Sequence, residues 1–295
     1  MNFWLSSFTL IISHASKTAS NAYKIDFLLT LFYSQKKKMY KLKSWIKEEN
    51  LDWDMLSENP RAIQLLEANP EKIGWYELCG NPEALSFFEK SKRGRVSMYT
   101  TSGNVNAIHI LEENLERLIW TQVSKNPGAI PLLEATPQKI VWWALSYNPA
   151  AIHLLEKNQD RISWFALSKN PGAINLLKQN VDKINWSGLS ENPAAIKILE
   201  ANPDKINWYM LSTNPAAIHL LQANQEKIDM AMLHYNPEGT HLLDHSNVDW
   251  AKISNNPGIF EYDYAGMSQA RSVLHQDLLS VIFHPDNIAR FKERI

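Results

Sequence analysis

Apolar positions along this chain follow neither the alternation of a strand nor one long helical stripe. They recur in short blocks at a fixed interval of 22 residues, from Trp53 to about Gly258. The unit Trp164 to Asn185, WFALSKNPGAINLLKQNVDKIN, shows the pattern: Trp164 and Leu167, then Ala173, Ile174, Leu176 and Leu177, then Ile184. Ten units run in phase, opening at Trp53, Trp75, Met98, Trp120, Trp142, Trp164, Trp186, Trp208, Met230 and Trp250. The seventh place of each is Asn: Asn59, Asn81, Asn104, Asn126, Asn148, Asn170, Asn192, Asn214, Asn236 and Asn256. Pro follows it in nine units, and Val105 replaces it in the third. Unit 2 carries one extra residue near Gly94, and unit 9 lacks two near Ser246.

Each block predicts two helices. Asn is a good N-cap and Pro suits a first helical position, so Asn170-Pro171 opens a helix to about Gln179, with its apolar residues on one face. Asn180 is placed to leave that helix in the left-handed conformation. The residue before the Trp is Ser, Asn or Asp in seven units, a second N-cap signal that opens a shorter helix carrying Trp and Leu. Helices this short are marginal alone, so the units must stack. The expected fold is all-α: an α-solenoid of ten two-helix units with helical caps, an open rod or arc roughly 90 Å long at ~8–10 Å per unit. Ala at the tenth place permits close approach. The Trp column (Trp53, Trp75, Trp120, Trp142, Trp164, Trp186, Trp208, Trp250) is expected to fill the space between layers. The Asn column reads as helix caps or as a ladder bonding backbone between units.

Composition agrees with this frame. Twelve of the 14 prolines and eight of the 11 tryptophans sit at repeat positions. Net charge is -1, so no basic track for phosphates is expected. Cys79 is the single cysteine, which excludes an intrachain disulfide or a Cys-rich metal site. No apolar run is long enough for a membrane helix. Residues 1–38 lie outside the repeat and are expected to be an upstream extension, with Met39 the true start; a weak membrane or targeting segment is the alternative reading. A cap helix is expected over 39–52, the solenoid over 53–258, and a C-terminal helical cap over 259–295, with helices at Met267–Phe283 and Asp286–Glu293.

No phosphate loop, GxSxG or HExxH motif is present. Serine recurs at the fifth place in eight units, which marks structure, since a nucleophile is needed once. His109, His153, His219 and His241 share the twelfth place and read as solvated surface groups. Glu at the fifteenth and Lys or Arg at the twentieth read as a mutually compensating exposed face. No enzyme, cofactor or metal site is therefore expected. The informative positions are those that vary inside the fixed frame. The second place brings Tyr76, Tyr99, Trp143, Phe165 and Tyr209, and the sixth brings Tyr147 and Tyr235. Aromatics repeated on a scaffold suit protein recognition; the competing reading buries the second-place rings between units.

The unit LSxNPxAIxLLExNxxKIxW, together with FEYDY from Phe260 and HPDNI from His284, resembles the multi-copy short repeat proteins of giant DNA viruses of amoebae and algae. The unit is also distantly similar to leucine-rich variant repeats, which alternate an α-helix with a short 3-10 helix. The cysteine cluster that holds an iron–sulfur site in one such protein is missing here. The resemblance implies a viral protein in the host cytoplasm or virion, binding a viral or host protein. A structural virion or factory component is the alternative, and a single-stranded RNA reader is disfavoured by charge. Membrane binding is not expected.

Overall fold

A computed structural model describes residues 39–90 and 97–282. Residues 1–38, the insertion near Gly94 and the expected helix Asp286–Glu293 lie outside the described residues. Two compact units divide the chain, Leu42–Phe260 and a smaller one of Met1–Lys41 with Glu261–Ile295.

The larger unit contains the ten repeats, and the repeat has four short pieces. In unit 6 a helix Trp164–Lys169 ends at Asn170; a 3-10 turn Pro171–Ala173 leads into a helix Ile174–Gln179; a second 3-10 turn, Val181–Lys183, closes the unit. These are called here the Trp helix, the Asn-Pro turn, the Ile helix and the closing turn. The predicted Asn-Pro helix is thus 3-10 over its first three residues and α over the next six. Asn170 is extended at φ -79° and ψ 116°, and its Oδ1 accepts the Gly172 N–H at 2.9 Å, the bond an N-cap makes. The expected left-handed turn at Asn180 is absent: its φ is -134°. Its Nδ2 instead donates to Leu176 O at 3.0 Å. That bond supplies a carbonyl of the last helical turn with a donor, which removes the need for a left-handed cap.

Between units, the Asn column proves to be both cap and ladder. Asn148 Nδ2 donates to Ser124 O at 3.0 Å and Asn126 O at 2.9 Å in the preceding unit, while its Oδ1 caps Ala150 N. All ten of these asparagines are buried. The fifth-place Ser runs beside them. Ser168 Oγ donates to Trp164 O at 2.7 Å and accepts from Asn185 N in the next unit at 3.0 Å. Cys79 and His234 occupy this same place and make the same two kinds of contact. Cys79 Sγ lies 3.1 Å from Trp75 O and 3.3 Å from Ser97 N. His234 Nδ1 lies 2.7 Å from Met230 O, and its Nε2 accepts from the Asp249 N–H at 3.0 Å.

The ladder does not end at the first unit. Asn59 Nδ2 donates to Ser254 O at 3.0 Å, and the Asp52 N–H donates to Ser254 Oγ at 2.9 Å. These are the bonds that every unit makes to the one before it, here made by unit 1 to unit 10. Arg61 Nη1 to Pro257 O and Asn255 Nδ2 to Glu58 Oε2 add to the junction, both at 3.0 Å. The Trp helices of units 10 and 1, Trp250–Ser254 and Trp53–Glu58, pack together. The larger unit is therefore a closed ring of ten repeats, not an open rod, and its first and last repeats cover each other. The Trp helices of units 1 and 2, 4 and 5, 6 and 7, 7 and 8, and 10 and 1 pack together, as do the Asn-Pro turns from unit 4 to unit 8, whereas no two neighbouring Ile helices come as close. In a closed ring the spacing of like elements scales with radius, so the Trp helices and Asn-Pro turns form the inner rim. The close approach there has a local cost in side-chain room: a Cβ at Gly258 would stand 2.1 Å from Pro237 O.

The expected helix over 39–52 is corrected. Tyr40–Leu42 is a strand, paired in a two-stranded sheet with Phe260–Tyr262, and Glu48–Asn50 is a 3-10 turn. Pairing with a segment more than 200 residues away overrides the local helical pattern. In the smaller unit, Tyr40 stacks on Tyr262 at 5.2 Å, and Lys41 pairs with Glu261 at 3.3 Å. The expected C-terminal helix is present as Tyr264–Ile282.

One flaw interrupts the core. Thr101 stands at the fourth place of unit 3, where the other units have Leu, Val or Ile. Its Oγ1 is buried without a hydrogen-bond partner. Thr101→Val keeps the shape and removes the hydroxyl, and it is expected to stabilise the fold by about 1–2 kcal/mol. A denaturation midpoint at or below wild type would contradict this.

Candidate functional site

The predicted recognition residues all lie on Trp helices or at their ends, hence on the inner rim. Tyr76, Tyr99, Trp143, Phe165 and Tyr209 are 52, 51, 50, 45 and 50% exposed, and Tyr235 is 45% exposed. Tyr147 is half-buried. The second-place rings are therefore not core. Neighbouring units touch through this belt: Tyr76 and Tyr99 stack at 6.4 Å, and Lys125 Nζ lies 5.2 Å from Trp143 and 5.4 Å from Tyr147. Lys169 sits 5.1 Å from the Phe165 ring and bonds Glu191 at 2.6 Å, sixth place to sixth place.

The Trp column behaves differently from expectation. Its rings are half-buried rather than core, and basic residues of the closing turn lie over them. Lys183 is 4.6 Å from Trp164, Lys205 4.6 Å from Trp186, Lys227 4.6 Å from Trp208, and Arg161 5.0 Å from Trp142. The twentieth-place cations are thus drawn to ring faces, not to the fifteenth-place carboxylates. Those carboxylates meet the histidines instead. His153 Nε2 is 2.9 Å from Glu134 Oε1, and His219 Nε2 is 2.9 Å from Glu200 Oε1. His241 faces Gln222 at 3.2 Å. Both columns were readable as columns; what was missing was which neighbour the ring curvature brings to each.

At the junction of units 10 and 1, the Glu58 carboxyl is held above the usual carboxylate range. Partial desolvation is the largest cause, the Asn255 hydrogen bond opposes it, and the charge of Glu77 adds to it. The residue as a whole is exposed, so the desolvation is incomplete. A raised folded-state value means that the folded chain holds the proton more tightly than the unfolded one. The resulting stability is fully present below the unfolded carboxylate range and is lost as pH rises through the folded value. Glu58→Gln, which keeps an acceptor for Asn255, is therefore expected to raise the melting temperature at pH 7. The difference from wild type should shrink at pH 4; an equal difference at both pH values would contradict the linkage.

Fold and belt define a closed helical-repeat scaffold with an aromatic inner rim. Residues 62–259, which are 198 of the 295, match the family model described as "Periplasmic copper-binding protein (NosD)", and the chain belongs to that family. No curated protein and no solved structure matches the chain. The family match overturns two expectations. A copper-binding family contradicts a chain without a metal partner, and a periplasmic family contradicts placement in host cytoplasm or virion. Among the described residues no group of three or more His, Cys, Asp or Glu is placed to hold a metal ion. Cys79 is buried in the serine column, and each twelfth-place histidine that is paired faces a single side chain. No helix among the described residues is long and apolar enough to cross a membrane.

Proposed function

We propose that the ring is a non-enzymatic scaffold that binds another protein through the aromatic belt of its inner rim. One observation carries this reading: large rings recur at two fixed places of the unit, and most are about half exposed although the frame around them is tightly packed. Tyr and Trp are the residues that dominate binding hot spots, and a rigid repeat holds them without further ordering cost. The resemblance of the unit to giant-virus repeat proteins supports a viral or host protein as the partner.

The test is capture of a partner by immobilised chain, compared across variants. Trp143→Ala with Tyr209→Ala is expected to release the partner, and Val181→Ala, an exposed apolar change on a closing turn, is expected to retain it. Unchanged capture by the double variant would overturn the reading. Copper enters from the family description alone, and equilibrium dialysis against Cu(I) and Cu(II) tests it separately from the belt.

A further inference from the structure

The belt is not uniform around the ring. In units 1 to 3 the stacked pair Tyr76 and Tyr99 stands beside two successive sixth places that carry no side chain, Gly80 and Gly103. A Cβ at Gly80 would be in ordinary contact with Glu77 O at 3.4 Å and Glu58 Oε1 at 3.7 Å, and one at Gly103 with Thr100 O at 3.6 Å and Gln122 Oε1 at 3.7 Å, so no side chain rises from either place on the belt. Carboxylates gather on the same arc. Asp54 Oδ1 and Glu77 Oε2 converge over Gly74, where a Cβ would stand 2.6 Å from the first and 2.9 Å from the second. Glu58 lies next to them, close enough for the charge of Glu77 to act on its carboxyl. Among the described residues no Lys or Arg pairs with Asp54, Glu58 or Glu77. Elsewhere on the belt the arrangement differs: Lys125 and Lys169 already occupy the faces of Trp143, Tyr147 and Phe165.

Like charges held together beside open aromatic faces are relieved by a cation that meets both. A guanidinium bonds carboxylates with its edge and stacks on rings with its face, and an ammonium does the first and sits over the second. We propose that the arc formed by Asp54, Glu58, Glu77, Tyr76 and Tyr99 takes an arginine- or lysine-bearing segment of the partner. This rests on the belt being a protein-binding surface and specifies the chemistry of what binds there. Charge complementarity selects a basic segment.

The experiment uses fluorescein-labelled nona-arginine and nona-glutamate peptides as probes, with fluorescence anisotropy on the full chain at low salt. Nona-arginine is expected to bind and nona-glutamate not to. Glu58→Gln with Glu77→Gln is expected to weaken nona-arginine by about tenfold or more. Glu112→Gln with Glu156→Gln makes the same change in net charge on the Ile helices and is expected to leave binding unchanged. Tyr76→Leu, which keeps bulk but not the ring face, is expected to weaken it as well. Equal weakening by the two Gln pairs, binding of both peptides alike, or no binding of nona-arginine would overturn the proposal. A captured partner released by Trp143→Ala with Tyr209→Ala, but not by Glu58→Gln with Glu77→Gln, would leave the scaffold reading standing and remove this one.

Discussion

Asn148→Ala is expected to destabilise the ring by about 3–4 kcal/mol, a large value for one surface-sized polar side chain. The estimate adds about 1 kcal/mol for a lost N-cap to about 1–1.5 kcal/mol for each of two buried hydrogen bonds. The side chain is fully buried, and its three bonds to Ala150 N, Ser124 O and Asn126 O lose their partner together. No water reaches the orphaned carbonyls without opening the contact between units 4 and 5. Chemical denaturation of the purified chain checks this, and a loss of only about 1 kcal/mol would show that the asparagine acts as a cap alone.

Asn59→Ala is expected to cost about 2–2.5 kcal/mol, a cap plus one buried hydrogen bond, less than Asn148→Ala but more than a cap alone. In an open array the first unit has no predecessor, so Asn59 Nδ2 would face water and only its cap to Arg61 N would be lost, about 1 kcal/mol. In the ring Asn59 is fully buried and its Nδ2 donates to Ser254 O. The two variants thus compare an interior junction with the closing one. Open repeat arrays have one fewer interface than units, and their stability is close to a sum over units and neighbours. A ring has as many interfaces as units and leaves no apolar end face in the array.

How much of this was legible in the sequence depends on whether a feature lies within one unit or between units far apart. The unit length, the role of Asn-Pro, the buried Ala and Leu places and the inner aromatic column all follow from local pattern. The 3-10 start of the Asn-Pro helix does not, because Pro suits the first turn of either helix. Curvature was invisible for a different reason. It arises from the difference in spacing between inner and outer elements, a property of two neighbouring units that no single unit spells out. Closure further requires that ten such rotations complete one turn. The strand at Tyr40–Leu42 was hidden for the same reason: its partner, Phe260–Tyr262, comes from the far end of the repeat array. Within the candidate site, the rings were legible, but the converging carboxylates at Gly74 were not. They appear only once units 1 and 2 are set side by side.

The central claim, closure, is tested most directly by a distance between units 1 and 10. Spin labels at Asp54→Cys and Ala251→Cys, in a Cys79→Ser background, occupy equivalent exposed second places of the first and last Trp helices. Double electron–electron resonance on the closed ring should report neighbours, about 8–10 Å between helices plus the label arms. A separation of about 70–90 Å, nine inter-unit steps at that same spacing, would contradict the ring and restore an open rod.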